Sequence, residues 1–239
     1  MTTSTARRAR PVSHTDDSAH RTRRNNFDRL APFYDQLAAL AFGASARRAQ
    51  TQLLPQLTSA RRALVIGGGT GWFLHALLTE TGVEQVLYIE KSANMLTRSR
   101  TLIAAAAPQW LPRVEFRLGT EESLTAADGP FDLIVTNFFL GQFNDASCSK
   151  LIECLAAQLS AAGRWLFVDL HTPESGWERM AAKLLYKLVY NFVGVTSHVE
   201  ARRPPHYQAT FDRLQFHTEL EQAFHHTLIR ARLLRRAAG

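Results

Sequence analysis

The sequence is poor in the features that mark several protein classes. Its 239 residues include only two cysteines, so a fold held together by disulfides is excluded. Cys148 and Cys154 are six residues apart, a spacing that predicts different faces of one helix and fits neither a redox pair nor a metal cluster. We therefore expect two packing thiols in a reducing compartment, and no metal site.

Long apolar runs are also missing. No run approaches the roughly 20 residues that a bilayer-spanning helix requires. The arginine pairs near the N-terminus are not followed by the apolar region of a signal peptide, because Asp28, Arg29 and Asp35 interrupt the sequence there. These absences favour a cytoplasmic protein.

The net charge of +7 is concentrated at the two ends of the sequence. Six arginines occur within residues 1–24, and four more occur between Arg230 and Arg236. Residues 1–24 lack hydrophobic periodicity and are predicted to form a disordered tail. Loose arginine-rich tails attract any polyanion weakly, whereas a nucleic-acid-binding domain carries its basic excess on a folded face. The charge pattern therefore favours a partner other than nucleic acid.

The hydrophobic pattern changes near residue 60. Across residues 25–57, apolar residues recur at three- and four-residue steps, which predicts a helical N-terminal cover. Five apolar strands then alternate with helices, as in a parallel sheet covered on both faces. Ser92 and either Asn144 or Asp145 are expected to cap helices, and Gly163 is expected to turn the chain into the fifth strand.

The last part of the sequence changes pattern again. The segment "FHTELEQAFHHTLIRARLLRR" predicts two strands joined at His225 and His226. No linker interrupts the pattern after residue 25. We therefore expect one doubly wound α/β domain over residues 25–239.

A glycine cluster follows the first strand and precedes a helix. Gly67, Gly68, Gly69 and Gly71 allow positive φ and a close backbone approach to a ligand. A tight turn without a ligand is the alternative interpretation. A dinucleotide fingerprint needs a third glycine where Trp72 stands. The G-x-G-x-G pattern therefore argues against a nicotinamide-dependent dehydrogenase.

In these motifs the chain resembles the class I S-adenosylmethionine-dependent methyltransferases from roughly Phe27 onward. "ALVIGGGTG" is similar to the family's first motif. Glu90 stands 23 residues after Gly67, where the family places the acid that binds both ribose hydroxyls. "KSANMLTRSR" is similar to the helix start that brings Met95 to the adenine. "FRLGTEESL" and "FDLIVTNFF" are similar to the third- and fourth-strand segments beside the cofactor.

One further segment narrows the resemblance. "FDRLAPFYDQLA" is similar to the entry helix of the ubiquinone/menaquinone-biosynthesis type, which implies that Tyr34 covers the sulfonium; a core position on an amphipathic helix is the alternative. The resemblance implies a Rossmann-like, mostly parallel seven-stranded sheet with a C-terminal antiparallel hairpin, and a helical lid within residues 174–205. It implies S-adenosyl-L-methionine as cofactor. The implied cofactor-binding residues are Tyr34, Gly67, Gly68, Gly69, Thr70, Gly71, Glu90, Lys91, Met95, Thr120, Glu121, Asn137 and Phe138.

Two positions depart from the family pattern. Val65 stands two residues before the first glycine, and Thr120 follows the third strand. The family usually has an acidic residue at both positions. A cofactor-binding but inactive or regulatory homologue is therefore an alternative to an active enzyme.

The acceptor is expected over the carboxyl ends of strands four and five. His171 is the candidate general base there, because an imidazole titrates near neutral pH; a hydrogen-bonded strand-end histidine is the alternative. Residues 174–194 carry an apolar stripe at helical spacing, which predicts a lid, a core helix, or a surface for a membrane or a second copy. We expect a methyltransferase, monomeric or homodimeric, that acts on a small apolar or aromatic acceptor, with RNA as the alternative substrate.

Overall fold

The structure is a computed structural model that describes residues 44–173, 176, 179–180, 203–225 and 227–237. The predicted tail of residues 1–24, Tyr34, and most of the predicted cover and lid lie outside these residues. Residues 44–51 are helical (α1). The other described α-helices are α2 (Trp72–Glu80), α3 (Ala93–Ala106), α4 (Asp145–Ala157) and α5 (Tyr207–Arg213). Short 3-10 turns span Leu54–Leu57, Pro108–Arg113, Glu121–Ser123 and Leu140–Gln142.

Seven strands form one sheet in the order β3-β2-β1-β4-β5-β7-β6. They are β1 (Arg62–Ile66), β2 (Gln85–Glu90), β3 (Val114–Leu118), β4 (Phe131–Asn137), β5 (Leu159–Leu170), β6 (Phe216–Phe224) and β7 (Ile229–Arg236). Strands β1 to β5 are parallel, and β7 runs antiparallel to both of its neighbours. The predicted α/β fold class, its seven-stranded sheet and its antiparallel hairpin are confirmed.

Hydrophobic cores cover both faces of the sheet. One core includes Leu74 and Leu77 of α2 and Ile103 of α3, and the other includes Ile152 and Leu155 of α4. Burial on both sides explains why the strand interiors are continuously apolar. Because the first five strands are parallel, their carboxyl ends meet at one edge, which is where this fold class binds ligands.

Two expected helix features are confirmed. The Ser92 hydroxyl accepts the Met95 amide at the start of α3 (3.2 Å), and Asn144 rather than Asp145 caps α4 by accepting the Ser147 amide (3.0 Å). Within α4, one cysteine is buried and the other exposed. No helix among the described residues is long and apolar enough to cross a membrane.

The expectation for Gly163 is wrong. Strand β5 begins at Leu159, so Gly163 lies inside the strand instead of before it. The pairing register with β4 shifts between Phe131 and Leu133. A Cβ on Gly163 would lie 2.7 Å from the Leu159 side chain and 3.0 Å from the Phe131 carbonyl oxygen. Glycine is therefore used here at a strand irregularity, where a side chain has no room.

The C-terminal arginines do not form a loose tail. They lie on β7, and Arg230 and Arg232 both pair with Glu221 of β6, at 2.9 and 2.5 Å. Arg235 pairs with Glu219 at 3.4 Å. The Arg232 residue is only 8% exposed. Two carboxylates of β6 thus pair with three of the four arginines of this segment, which sequence composition alone did not indicate.

Candidate cofactor site

The glycine loop, defined as residues 67–71, joins β1 to α2 at the carboxyl edge of the sheet. Gly67, Gly69 and Gly71 have φ values of 67°, 68° and 89°, which L-residues with a side chain rarely adopt. Gly68 is needed for a different reason, because a Cβ there would lie 2.2 Å from the Tyr88 ring. A Cβ on Gly69 would meet no atom within 4 Å. Gly69 is therefore where the loop backbone faces open space.

Strand β2 holds the Gly69 residue from both sides. The Tyr88 hydroxyl donates a hydrogen bond to the Gly69 carbonyl oxygen (3.0 Å), and the Gly69 amide donates to Glu90 Oε2 (2.8 Å). The two side chains share a face because they are two residues apart on a strand. We call this arrangement the Gly69 clamp. Sequence analysis did not single out Tyr88, although its spacing from Glu90 was a usable signal.

Glu90 is more deeply built into the fold than the sequence suggested. It is 6% exposed, and its Oε1 accepts the amide of Ser92 at 2.9 Å. One carboxylate thus joins the glycine loop to the start of α3, so Glu90 has a structural role besides the ligand-binding role that the resemblance implies. Each carboxylate oxygen can accept more than one hydrogen bond, so binding a diol remains compatible with these contacts.

The residues after β2 and β3 lie next to this carboxylate. The Gly119 amide donates to the Glu90 carbonyl oxygen (3.1 Å), and Met95 is buried in the first turn of α3. Desolvation lowers the pKa of Lys91, although its side chain keeps exposed surface, and the carboxylates of Glu90 and Glu121 oppose the shift. The ends of β2 and β3 therefore form one continuous wall of the candidate cofactor site.

The loop after β3 is held by an ion pair. Arg117 contacts Asp128 at 2.7 Å, and the same carboxylate accepts the Thr125 amide at 2.7 Å. Hydrogen bonding to the guanidinium holds the pKa of Asp128 well below its usual range. Thr120 accepts the amide of Glu122 (3.4 Å) and begins a 3-10 turn. The threonine at the position where the family usually has an acid thus has a capping role.

Asn137 ends β4 and has a defined orientation. Gln50 of α1 donates to the Ala46 carbonyl oxygen (3.3 Å), so its Oε1 is the atom left to accept Asn137 Nδ2 (3.4 Å). Asn137 Oδ1 is buried and has no hydrogen-bond partner among the described residues. A buried acceptor without a donor is costly, so this atom favours a ligand group that donates a hydrogen bond.

The acceptor side lies at the ends of β4 and β5. Phe138 has a φ of 50°, which is unusual for a residue other than glycine. The His171 amide donates to the Leu228 carbonyl oxygen (2.8 Å), which ties the end of β5 to the β6–β7 turn. His171 therefore lies at the predicted edge of the sheet, and its catalytic role remains a proposal.

Comparison with known proteins agrees with this geometry. Residues 63–163 match a family described as a methyltransferase domain. The uncharacterized methyltransferase YcgJ of Bacillus subtilis is 30% identical over 113 residues, which are 47% of this chain and 42% of that protein. Its crystal structure superposes with a TM-score of 0.59 at 18% identity, over 80% of this chain and 99% of that one. Over residues 63–163 the chain is thus a methyltransferase domain, and its sheet has the fold of class I methyltransferases.

Other solved methyltransferases share the fold. Mitomycin 7-O-methyltransferase MmcR superposes with a TM-score of 0.64 at 17% identity, over 88% of this chain and 60% of its own. CalO1, a methyltransferase in calicheamicin biosynthesis, was solved with S-adenosylhomocysteine (SAH) bound. It superposes with a TM-score of 0.62 at 17% identity, over 88% of this chain and 60% of its own. This chain therefore spans less than two thirds of both proteins.

The structure brings most of the predicted cofactor residues to one edge of the sheet. The glycine loop, Glu90, Met95 and Asn137 lie at the ends of β1, β2 and β4 or in the turns that follow. Val65, at the usually acidic position, is buried in the apolar core. Sequence analysis missed Tyr88, and it also missed Asp169, an acid at the end of the apolar strand β5.

Proposed function

We propose that this methyltransferase binds S-adenosyl-L-methionine at the ends of β1, β2 and β4 and methylates a small apolar or aromatic acceptor. The observation that carries the proposal is the Gly69 clamp. It fixes the two peptide groups on either side of Gly69 beside a buried carboxylate, at a residue that faces open space. A loop fixed in this way loses little conformational entropy when a ligand binds.

The residues present fit the parts of this cofactor. A carboxylate suits a vicinal diol, because both of its oxygens accept hydrogen bonds, and Glu90 supplies one at the end of β2. The unpartnered Oδ1 of Asn137 suits an ammonium group. Leu118 ends β3 with 56% of its surface exposed, an apolar patch that a purine ring would cover. These residues would hold the ribose, the amino acid and the base, respectively.

The bound cofactor supplies a methyl group on a sulfonium centre. The chain's own contribution would be alignment of the acceptor and exclusion of water. His171, directly after β5, would take a proton from an acidic hydroxyl of the acceptor. The choice of an apolar acceptor is supported by the apolar sequence stripe between residues 174 and 194, which lies outside the described residues.

Calorimetry with SAH, the product form of the cofactor, tests the binding step. We expect 1:1 binding of SAH and no binding of NADH, because the carboxylate and the G-x-G-x-G loop suit the former and Trp72 opposes the latter. Binding of NADH without binding of SAH would contradict the proposal.

A transfer assay tests the acceptor class. Incubation with methyl-labelled cofactor should label small phenolic or other aromatic acceptors and leave RNA unlabelled. Labelling of RNA alone would favour the RNA alternative. Tight SAH binding together with no transfer to any acceptor tested would favour the regulatory homologue, for which Val65 and Thr120 are the sequence arguments.

A further inference from the structure

Asp169 is a buried carboxylate that the proposed methyl transfer does not use. It is 5% exposed and lies one residue before the end of β5. Its Oδ1 accepts the amide of Leu170 and its Oδ2 accepts the amide of Gly141, each at 2.8 Å. A carboxylate is costly to bury, so we expect Asp169 to have a structural role at the edge of the site.

The segment that Asp169 holds is residues 138–142, which we call the β4 loop. The Phe138 amide donates to the Val168 carbonyl oxygen (2.7 Å), and Gln142 Nε2 donates back to the Phe138 carbonyl oxygen (3.1 Å). A Cβ on Gly141 would lie 2.9 Å from Asp169 Oδ1. The loop is therefore seated directly against the carboxylate.

The β4 loop in turn supports the glycine loop. Phe139 is buried, and its ring lies so close to Gly67 that a Cβ there would be 2.4 Å from it. The Phe139 ring also packs edge-on against Phe143, with ring centroids 5.3 Å apart. Moving the Gly141 peptide would move this ring, because only one residue separates them.

We propose that Asp169 is a positioning residue whose carboxylate holds the β4 loop so that Phe139 keeps the glycine loop in its cofactor-binding geometry. This inference rests on the proposed cofactor binding. Both oxygens of Asp169 act as acceptors, and the ionised form suits this role best because it carries no competing donor. A protonated carboxyl, or the side-chain amide that an Asp169→Asn substitution introduces, would turn a donor toward one of the two backbone amides.

The charge environment of Asp169 adds a measurable signature. Burial raises the pKa of Asp169 to about 6. From α4, the Cys148 thiol lies near it, and Asp145 belongs to the same helix. From β7, its register partner is Arg230, but that guanidinium turns to Glu221 at 2.9 Å. The loss of the carboxylate charge is thus expected near pH 6.

The sign of the effect separates positioning from simple stabilisation. The raised pKa means that the folded state binds the proton more tightly than the unfolded state, so this group's contribution to stability falls as the pH rises from about 4 to about 6. Cofactor affinity is expected to move the other way, because the ionised form holds the loop. Stability and binding therefore have opposite pH dependences.

The experiment measures SAH dissociation constants and melting temperatures from pH 5 to pH 8. Wild type should bind about fivefold more tightly at pH 8 than at pH 5, as expected when a charged hydrogen bond becomes neutral. The Asp169→Asn variant should bind SAH with the weaker, pH 5 affinity over the whole range, so its affinity should not change between pH 5 and pH 8. The matched control is Asp132→Asn, since Asp132 also accepts two backbone amides, from Arg61 and Arg62, at the opposite end of β4. The control should keep the wild-type profile.

The outcomes are distinguishable. Failure of wild type to bind SAH at any pH would contradict the proposed function itself. If wild type binds SAH tightly and a folded Asp169→Asn variant shows the same pH dependence of binding, the role of Asp169 is overturned and the proposed function is not. If that variant does not fold, Gly141→Ala decides, because its Cβ would separate the loop from the carboxylate. The Gly141→Ala variant should bind SAH more weakly at pH 8 and show a smaller change of affinity with pH. An unchanged pH dependence of SAH affinity would overturn the inference.

Discussion

Two parts of the same sheet edge are held together by different means. On the β1–β2 side, the Gly69 clamp uses two side chains of one strand that are two residues apart. On the β5–β7 side, Asp169 holds the Gly141 amide, and Glu221 of β6 pairs with Arg230 and Arg232 of β7. The clamp joins two segments that the sequence marks as motifs, the glycine loop and the strand end at Glu90. No motif marks the contacts of the second region, so they become visible only in the folded chain.

Gly68→Ala should have the largest effect on the clamped side. Its Cβ would lie 2.2 Å from the fully buried Tyr88 ring, so either the ring or the loop must move. We expect a loss of about 2–3 kcal/mol, equivalent to roughly 30- to 150-fold in SAH affinity. Gly69→Ala is the comparison on the open side of the loop, because its Cβ meets no protein atom within 4 Å and its loss of affinity would report the positive φ and the space left for the cofactor. Unchanged SAH affinity in a folded Gly68→Ala variant would show that the Tyr88 ring does not shape the loop.

Glu90→Ala should come next. It removes the acceptor of the Gly69 and Ser92 amides and the candidate ribose ligand. We expect at least about tenfold weaker SAH binding and a lower unfolding free energy by about 1–3 kcal/mol, since the buried Ser92 amide and the partly buried Gly69 amide lose their acceptor. Calorimetry and denaturant unfolding measure the two effects. Glu84→Ala, at the opposite end of β2, should change neither, and unchanged SAH affinity in a folded Glu90→Ala variant would contradict the ribose assignment.

Tyr88→Phe tests the other half of the clamp with a smaller change. The ring that fills the space below Gly68 stays in place, and only the hydroxyl that holds the Gly69 carbonyl oxygen is lost. A lost hydrogen bond of this kind costs about 1 kcal/mol, or about fivefold in affinity. Competition binding with SAH would measure it. An unchanged dissociation constant would mean that Glu90 alone positions Gly69.

Glu221→Gln should have the smallest effect on cofactor binding, because it changes the other region. It weakens the charge pairing of Arg230 and Arg232 on β7. We expect a loss of about 1–2 kcal/mol in unfolding free energy, since one of the arginines is nearly buried, with no change in SAH affinity. If Glu221→Gln weakened SAH binding as much as Tyr88→Phe does, the two regions would not differ in their effect on cofactor binding.

This contrast also explains how much of the molecule was predictable. The strand alternation, the glycine loop and the Ser92 cap are local patterns, and the structure confirms them. The roles of Gly163 and Asp169 depend on partners that are distant in the chain, Phe131 and Gly141, so no window of sequence contains both partners. The hairpin pattern placed the C-terminal arginines on a strand, but composition alone did not show that Glu219 and Glu221 pair with three of them.

The position of β7 has a consequence for the order in which the sheet is assembled during synthesis. Strand β7 follows β6 along the chain but lies between β5 and β6 in the sheet. As the chain leaves the ribosome, β6 has no neighbour to pair with, and the edge of β5 stays open until β7 is available. Domains tend to fold from the N-terminal side as they are synthesised, and an open edge can pair with other chains. Until β7 has paired, the edge of β5 is therefore open to pairing with strands of other chains.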